Sequence, residues 1–465
     1  MTKALKTIPT TFVIFGATGD LFRQKLSLAL LNLFSGGALP EFFRVVAFSR
    51  RPWKDEEFRN FVRETLAGKI AHVPSDIFEQ FLKNILYVEG DLGNLESYQK
   101  LVELLGRLDG EIGVCMNKLF YLATPPAHYE MILESISTSG LAIPCAPTKK
   151  GGETGWTRIL IEKPFGSDLE NAQALDKKLA TLFSESQIFR IDHYLAKETL
   201  QHILKFRFIE GLLESFWNRE YIDRVEVLLF EKGVVGARGA FYDAIGALRD
   251  VGQNHALQMA ALVAMERPSQ FNAEAIRGSR AEAIAAFSSD EKAAPDSFLR
   301  GQYEGYLSEV GVRPNSETET YFKVELTSTG GRFRGVPFIL ESGKGLPESK
   351  GEIGVYFKNF VEASVNGENI RVQVVKFKIS PKEEIALVSD SEQEFLVTTY
   401  NASENGRKND AYEKVLLDAI KGDQTLFTLT EEVLAEWRIV HEIFKKWEKI
   451  PLVKYEKGTM PVTSG

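Results

Sequence analysis

Between residues 11 and 166 the chain alternates short apolar runs with helix-patterned stretches, and no other feature restricts its fold as much. TFVIFG (11–16), FRVVAFSR (43–50), ILYVEGD (85–91), KLFYLATPP (118–126) and RILIEKPFG (158–166) are runs of strand length. Several are apolar without a break, the mark of a strand covered on both faces. LSLALLNLFSGG (26–37), DEEFRNFVRETLAG (55–68) and LESYQKLVELLGRL (95–108) lie between them as helices. The first stops at glycines, and the second opens with acids that suit a helix N-terminus. Alternation of this kind predicts an α/β fold with a doubly wound parallel sheet.

The pattern changes near residue 190. RVEVLLFE (224–231), YFKVELTS (321–328), GEIGVYFKNF (351–360), IRVQVVKFKIS (370–380), EIALVSD (384–390) and QEFLVTTY (393–400) follow one another with few helices between. Several alternate apolar and polar residues, as in an antiparallel sheet with one covered face. Helices are expected at 247–266, 410–422 and 430–450. The expected organisation is therefore a first domain over residues 1–190 and an α+β domain over 191–465. Residues 269–300, rich in Ala, Ser and charge, read as a surface excursion, and 141–157 as a loop.

Composition narrows the function classes. A net charge of −8 offers no basic excess to neutralise phosphates, so no nucleic-acid partner is expected. No apolar run reaches membrane-spanning length, so no membrane association is expected. Two cysteines, Cys115 and Cys145, make no disulfide framework, which points to a reducing, cytoplasmic setting.

The strand TFVIF runs into GATGDL and then a helix. Gly16 and Gly19 frame the turn, with Thr18 and Asp20 beside them. Glycine is needed where backbone approaches a pyrophosphate, and a helix N-terminus supplies free N–H groups. The alternative is a tight turn with no ligand, because the spacing is not the full G-x-G-x-x-G. Arg50 and Arg51 end the second run, where an arginine holds the 2′-phosphate of NADP. A solvated turn is the other reading of that pair.

Further along, Glu162, Lys163 and Pro164 end a parallel strand, at the edge where ligands of open α/β sheets bind. A lysine there meets an anion or cofactor, or else faces water at the rim. In IDHYLAKE, His193 and Lys197 are four apart, which places both on one helical face as a phosphate cradle, with the Tyr194 hydroxyl beside them. The alternative is a surface helix start capped by Asp192. LRDVGQNHALQM packs Arg249, Asp250, Gln253, Asn254 and His255 into seven positions of an otherwise apolar helix. Such density is either a structural network or a site, and His255 is the natural general base, with Asp192 available as its orienting carboxylate. The other histidines, His72, His128, His202 and His441, lack such company.

GATGDL, EKPFG, RIDHYLAKE, RDVGQNHALQ, GVPFILESGK and DAYEKVLLDAI occur in order from about residue 11 to 447. In this the chain resembles the glucose-6-phosphate dehydrogenases, whose signature RIDHYLGKE it carries with Ala196 for the glycine. The resemblance implies an NADP-binding Rossmann domain followed by an α+β domain with a large antiparallel sheet. It implies a homodimer, or a dimer of dimers, formed through that sheet. It implies oxidation of glucose 6-phosphate to the 6-phosphoglucono-lactone, the first step of the oxidative pentose phosphate pathway, with no metal. Carried over by position, His255 is the base and Asp192 its partner. His193, Tyr194 and Lys197 bind phosphate, and Glu231, Asp250 and Lys344 bind substrate. Lys163 touches both cofactor and sugar. Gly16, Ala17, Thr18, Gly19, Asp20, Leu21, Phe22, Arg23, Arg50, Asp91 and Tyr129 take cofactor positions. Two departures stand out. Phe22 replaces a small residue, and Ser349 stands where a second basic residue is expected: either Lys350, one step later, takes its place in substrate binding, or phosphate binding is weaker in this chain.

Overall fold

The computed structural model describes residues 9–143, 155–289, 297–365, 368–399 and 410–462. They gather into two compact units. The first takes Met1–Gly166, Gln173–His193 and Asn409–Thr428; the second takes Ser167–Ala172, Tyr194–Lys408 and Leu429–Gly465.

The first unit is built on six parallel strands: β1 (Thr10–Phe15), β2 (Phe43–Ser49), β3 (Ile85–Glu89), β4 (Asn117–Leu122), β5 (Thr157–Ile161) and β6 (Ile188–Ile191). Their order is β6-β5-β4-β1-β2-β3. All six residues of β1 and of β4 are buried, as continuous apolar runs require. The chain winds outward from β1 through β2 and β3, then returns to build β4, β5 and β6 on the other side. This is the doubly wound sheet that the alternation predicts, and its switch point lies between β1 and β4.

A late segment completes this unit. Phe427–Thr428 pairs antiparallel with β6, and helix Ala411–Lys421 packs nearby. The Arg158 guanidinium on β5 donates to the carbonyls of Ala419 (2.6 Å) and Ile420 (2.7 Å), which are free at that helix C-terminus. The Asn32 amide donates to Glu413 at 2.8 Å.

The second unit centres on a large, mostly antiparallel sheet. In spatial order its strands are 394–399, 384–389, 368–380, 350–365, 222–230, 337–343, 321–328, 298–303 and 452–455, with 287–288 paired to 321–328. Two neighbouring pairs, 222–230 with 337–343 and 298–303 with 452–455, are parallel. Helix Leu257–Ala264 is buried at every position.

The expected surface excursion at 269–300 is corrected over its described part. Ala273–Ala285 is a helix whose Arg277 and Arg280 are buried. Arg280 meets Glu432 of helix Thr430–Trp447 at 2.7 Å, both side chains nearly solvent-free. Two paired charges can enter a core where one alone would be prohibitive, so charge in the sequence misleads here. The loop expected at 141–157 lies outside the described residues over 144–154. Cys115 is disulfide-bonded, in contrast to the absence of disulfides expected from the cysteine count, while Cys145 lies outside the described residues. Among the described residues no helix is long and apolar enough to cross a membrane.

Candidate active site

Because β1 to β6 run parallel, the residues that follow them emerge at one edge of the first sheet. Gly16 follows β1, Arg50 follows β2, Asp91 β3, Thr124 β4, Lys163 β5 and Asp192 β6. Gly16 has φ +80°, and a Cβ there would stand 2.5 Å from the Ala123 carbonyl, so glycine alone fits the closely spaced ends of β1 and β4. Its N–H donates to the Phe48 carbonyl, and the Gly19 N–H donates back to the Gly16 carbonyl. The Thr124 hydroxyl is shielded from solvent without a protein partner. Behind the turn, a π-helical turn (Phe22–Leu26) runs into helix Ser27–Ser35. Close backbone, an unsatisfied hydroxyl and a helix start fit the pyrophosphate of a dinucleotide.

Around that turn Ala17 is buried, and the Thr18 hydroxyl bonds that of Ser49 at 2.8 Å. Leu21 is half-buried and Asp20 exposed, while the Arg23 guanidinium lies over the Phe61 ring. Phe22 is buried against Phe58, ring centres 5.6 Å apart, so the core absorbs this departure and leaves its backbone at the turn. Arg51 stacks on Trp53. Arg50 is exposed and joins no ion pair among the described residues. Asp91 accepts the Gly93 N–H at 2.9 Å. Tyr129 is buried, and its hydroxyl donates to the Glu162 carbonyl at 3.0 Å, bracing the end of β5. Asp192 is buried, and the His193 ring stacks on Tyr412.

In the second unit Tyr194 to Lys197 form a turn, not a helix. The Lys197 N–H donates to the Tyr194 carbonyl, and the helix begins only at Glu198 (Glu198–Lys205). The single helical face expected for His193 and Lys197 is therefore corrected. The Thr199 N–H meets the buried Glu383 carboxylate, which fixes the helix start at this point. The Lys197 ammonium stands 5.3 Å from the centre of the Tyr194 ring.

The polar stretch Leu248–Ala256 is π-helical, a geometry found often at functional sites. His255 is 2% exposed, and the Tyr194 ring stacks on it with centres 4.0 Å apart. Gln253 and Gln258 donate to opposite oxygens of buried Glu436, at 3.0 and 2.7 Å. Lys344, also buried, pairs with Glu231 at 2.7 Å and lies over the Tyr242 ring. The Tyr242 hydroxyl is held well above its ordinary pKa by burial, with Asp250, Glu319 and Glu231 adding to the effect. Asp250, Glu231 and Lys344 thus gather around one buried tyrosine. Lys350 instead pairs with Glu352 at 3.1 Å, and the Ser349 hydroxyl accepts the Lys232 N–H.

A family model described as "Glucose-6-phosphate dehydrogenase, NAD binding domain" matches residues 13–202, and the C-terminal domain of the same family matches 204–464. The chain belongs to the glucose-6-phosphate dehydrogenase family. The glucose-6-phosphate 1-dehydrogenase of Chlamydia muridarum is 36% identical over 474 residues, covering 95% of this chain and 91% of its own length. That of Aggregatibacter actinomycetemcomitans is 37% identical over 473 residues, covering 97% and 94%. A solved glucose-6-phosphate dehydrogenase in complex with its substrate glucose-6-phosphate has a TM-score of 0.84 at 30% identity, covering 100% of this chain and 97% of its own. KijD10, a 3-ketoreductase from Actinomadura kijaniata, has a TM-score of 0.52 at 12% identity, covering 96% and 98%, and shows the fold alone. This member of the glucose-6-phosphate dehydrogenase family is an enzyme, an oxidoreductase.

Sequence reasoning gave no role to Tyr121, Tyr242 or Tyr412, nor to the carboxylate of Glu162 in this glucose-6-phosphate dehydrogenase-family chain. Their signal is visible only in three dimensions. The Tyr121 hydroxyl donates to buried Glu162 at 2.5 Å. Burial pushes the Glu162 carboxyl up to about 7, and nearby Asp192 pushes the same way. The protonated form is thus favoured in the folded state. Its stabilising contribution is complete below the ordinary value near 4.5 and is lost as pH rises through about 7. Glu162→Gln keeps an oxygen for Tyr121 and cannot ionise. Relative to the parent it should gain stability between pH 5 and pH 8.5, by up to about 3 kcal/mol at roughly 1.4 kcal/mol per pKa unit. Urea midpoints at both pH values check this, and a difference that does not change with pH would refute it.

Proposed function

We propose that the chain oxidises glucose 6-phosphate at its anomeric carbon, with NADP as cofactor, to the 6-phosphoglucono-lactone. The observation that carries this reading is the row of Gly16, Arg50, Asp91, Thr124, Lys163 and Asp192 beyond the parallel strand ends. That edge of a doubly wound sheet is where a dinucleotide binds. The turn from Gly16 to Arg23 holds the pyrophosphate, Arg50 takes the 2′-phosphate, and Asp91 and Tyr129 complete the cofactor side. When bound, NADP supplies the acceptor for the hydride leaving the sugar.

The chain's own residues do the rest. His255 takes the proton of the anomeric hydroxyl, and Asp192 holds the imidazole tautomer and stabilises the imidazolium. His193, Tyr194 and Lys197 grip the phosphate, while Glu231, Asp250 and Lys344 meet the sugar, with Lys163 serving both cofactor and sugar. The Tyr194 ring stacked on His255 supports this assignment, since it links the DHY segment to the base. We assign the enzyme to the cytoplasm from its kinship with the bacterial glucose-6-phosphate 1-dehydrogenases, the disulfide at Cys115 being an exception to what a reducing compartment favours. We also infer a homodimer, or a dimer of dimers, formed through the large sheet, whose strands carry exposed Phe360 and Leu396.

The direct test is NADPH formation followed by absorbance, with glucose 6-phosphate and with glucose. Rapid turnover of the phosphorylated sugar is expected, and equal turnover of both sugars would overturn the reading. The phosphate grip has its own test. Lys197→Ala should raise the KM for glucose 6-phosphate about 10- to 100-fold, the value of one charge-assisted hydrogen bond, and barely change that for glucose. Lys350 shares its charge with Glu352, so Lys350→Ala should raise the same KM by a smaller factor. Equal losses on both sugars for Lys197→Ala would remove it from the phosphate site.

A further inference from the structure

Glu319 lies in the stretch NSETETYF, ahead of strand Tyr321–Ser328, with its side chain buried. It reaches back 71 residues to the start of the π-helical stretch Leu248–Ala256. Its carboxylate accepts the Leu248 N–H at 2.9 Å, and its carbonyl accepts the Ala247 N–H at 3.0 Å. The residue at the N-cap of that stretch, Ala247, has no side chain that could cap it. The carboxylate therefore does from a distance what a local cap does, satisfying an N–H that the helix itself leaves open. Gly246 makes this possible. It has φ +77°, and a Cβ there would stand 2.4 Å from a Glu319 oxygen. Any other residue at 246 would push the carboxylate off the helix start.

The stretch so held carries Asp250 and His255. Glu436 anchors it again through Gln253 and holds the helix that follows through Gln258. We propose that Glu319 is a positioning residue of the reaction: its ionised carboxylate fixes the first turn of the π-helical stretch and, through that turn, the placement of Asp250 and His255. The proposal rests on the roles given to Asp250 and His255 above.

The surroundings make the anion conditional. Burial raises the Glu319 carboxyl to about 7, against the Leu248 N–H and the charges of Arg249 on the helix and Arg300 on strand Phe298–Tyr303, which lower it. Glu319 in turn raises Tyr242 and Tyr306, both deep in the same core. The carboxylate is charged above pH 7 and progressively neutral below it. Turnover then depends on two deprotonations on the acid side, Glu319 and the base.

The experiment is the pH profile of kcat/KM for glucose 6-phosphate, from pH 5 to 9, in the parent and in Glu319→Gln. The parent's acid limb should be steeper than one, reaching a slope of about 1.5 where Glu319 titrates, because its neutral form keeps about a tenth of the activity. Glu319→Gln, which keeps an acceptor for Leu248, should show a slope of one, a kcat lowered about tenfold by misplacement of the reacting groups, and an unchanged KM for NADP. A merely structural role would lower the melting temperature and leave the slope as in the parent. Glu319→Asp, charged but one methylene short, should retain the steep limb. A parent slope of one overturns the proposal even if neither variant folds, and so does a Glu319→Gln profile parallel to the parent. Failure of the underlying assignment is seen separately, as turnover retained by His255→Asn.

Discussion

His255→Asn will leave the second unit folded and lower kcat by about 10²- to 10⁴-fold, the range a positioned general base contributes. His255 is buried in the π-helical stretch, against the Tyr194 ring. Asparagine is polar and smaller, so the packing loss is modest, and the Asn254 side chain can still accept the backbone N–H of residue 255 at 2.6 Å. What asparagine lacks is a group that accepts a proton near neutral pH. Thermal unfolding and the KM for glucose 6-phosphate should stay close to the parent while kcat collapses. Turnover within a few-fold of the parent would show that another group takes the proton.

Arg50→Ala will lower kcat/KM for NADP by roughly 10- to 100-fold and change that for NAD little. Arg50 stands exposed past the end of β2, and its neighbour Arg51 is occupied by Trp53. The nearest acid behind it, Asp55, accepts the Tyr87 N–H at the start of the next helix and so is committed elsewhere. A guanidinium suits the 2′-phosphate because its planar fork donates two parallel bonds. Losing one charge-assisted contact costs about 1.5–3 kcal/mol, which sets the expected factor. A parent that prefers NAD, or a variant that loses both coenzymes equally, would remove Arg50 from this role.

What could be read in advance follows from which signals are local. The strands of the first sheet were legible because burial on both faces writes an unbroken apolar run, and YFKVELTS was legible because one covered face writes an alternation. The winding of 248–256 was not, because a π-helix has no periodicity that distinguishes five polar residues in seven positions from an ordinary amphipathic turn. Buried Arg280 was hidden for a related reason: its partner Glu432 is 152 positions away, and each charge alone looks like surface. Glu319 sits in a polar stretch that reads as a loop, and only its contact with Leu248 reveals it. The row of residues beyond the strand ends was visible as separate motifs. Its alignment along one edge is a product of parallel pairing, which a linear chain does not display.

The return of residues 411–428 to the first sheet makes that unit a late product of synthesis. When His193 leaves the ribosome, β6 still has an open edge and Arg158 has no carbonyls to hold. Phe427–Thr428 and the end of helix Ala411–Lys421, which meet those needs, follow more than 200 residues later. At about 5–20 residues per second that is a delay of roughly 10–50 s. An unpaired strand edge is a template for other chains, so the nascent protein is exposed to aggregation through this interval. A gene truncated near residue 190 would make the exposure permanent, and the fragment should be recovered mainly as aggregate or bound to chaperones.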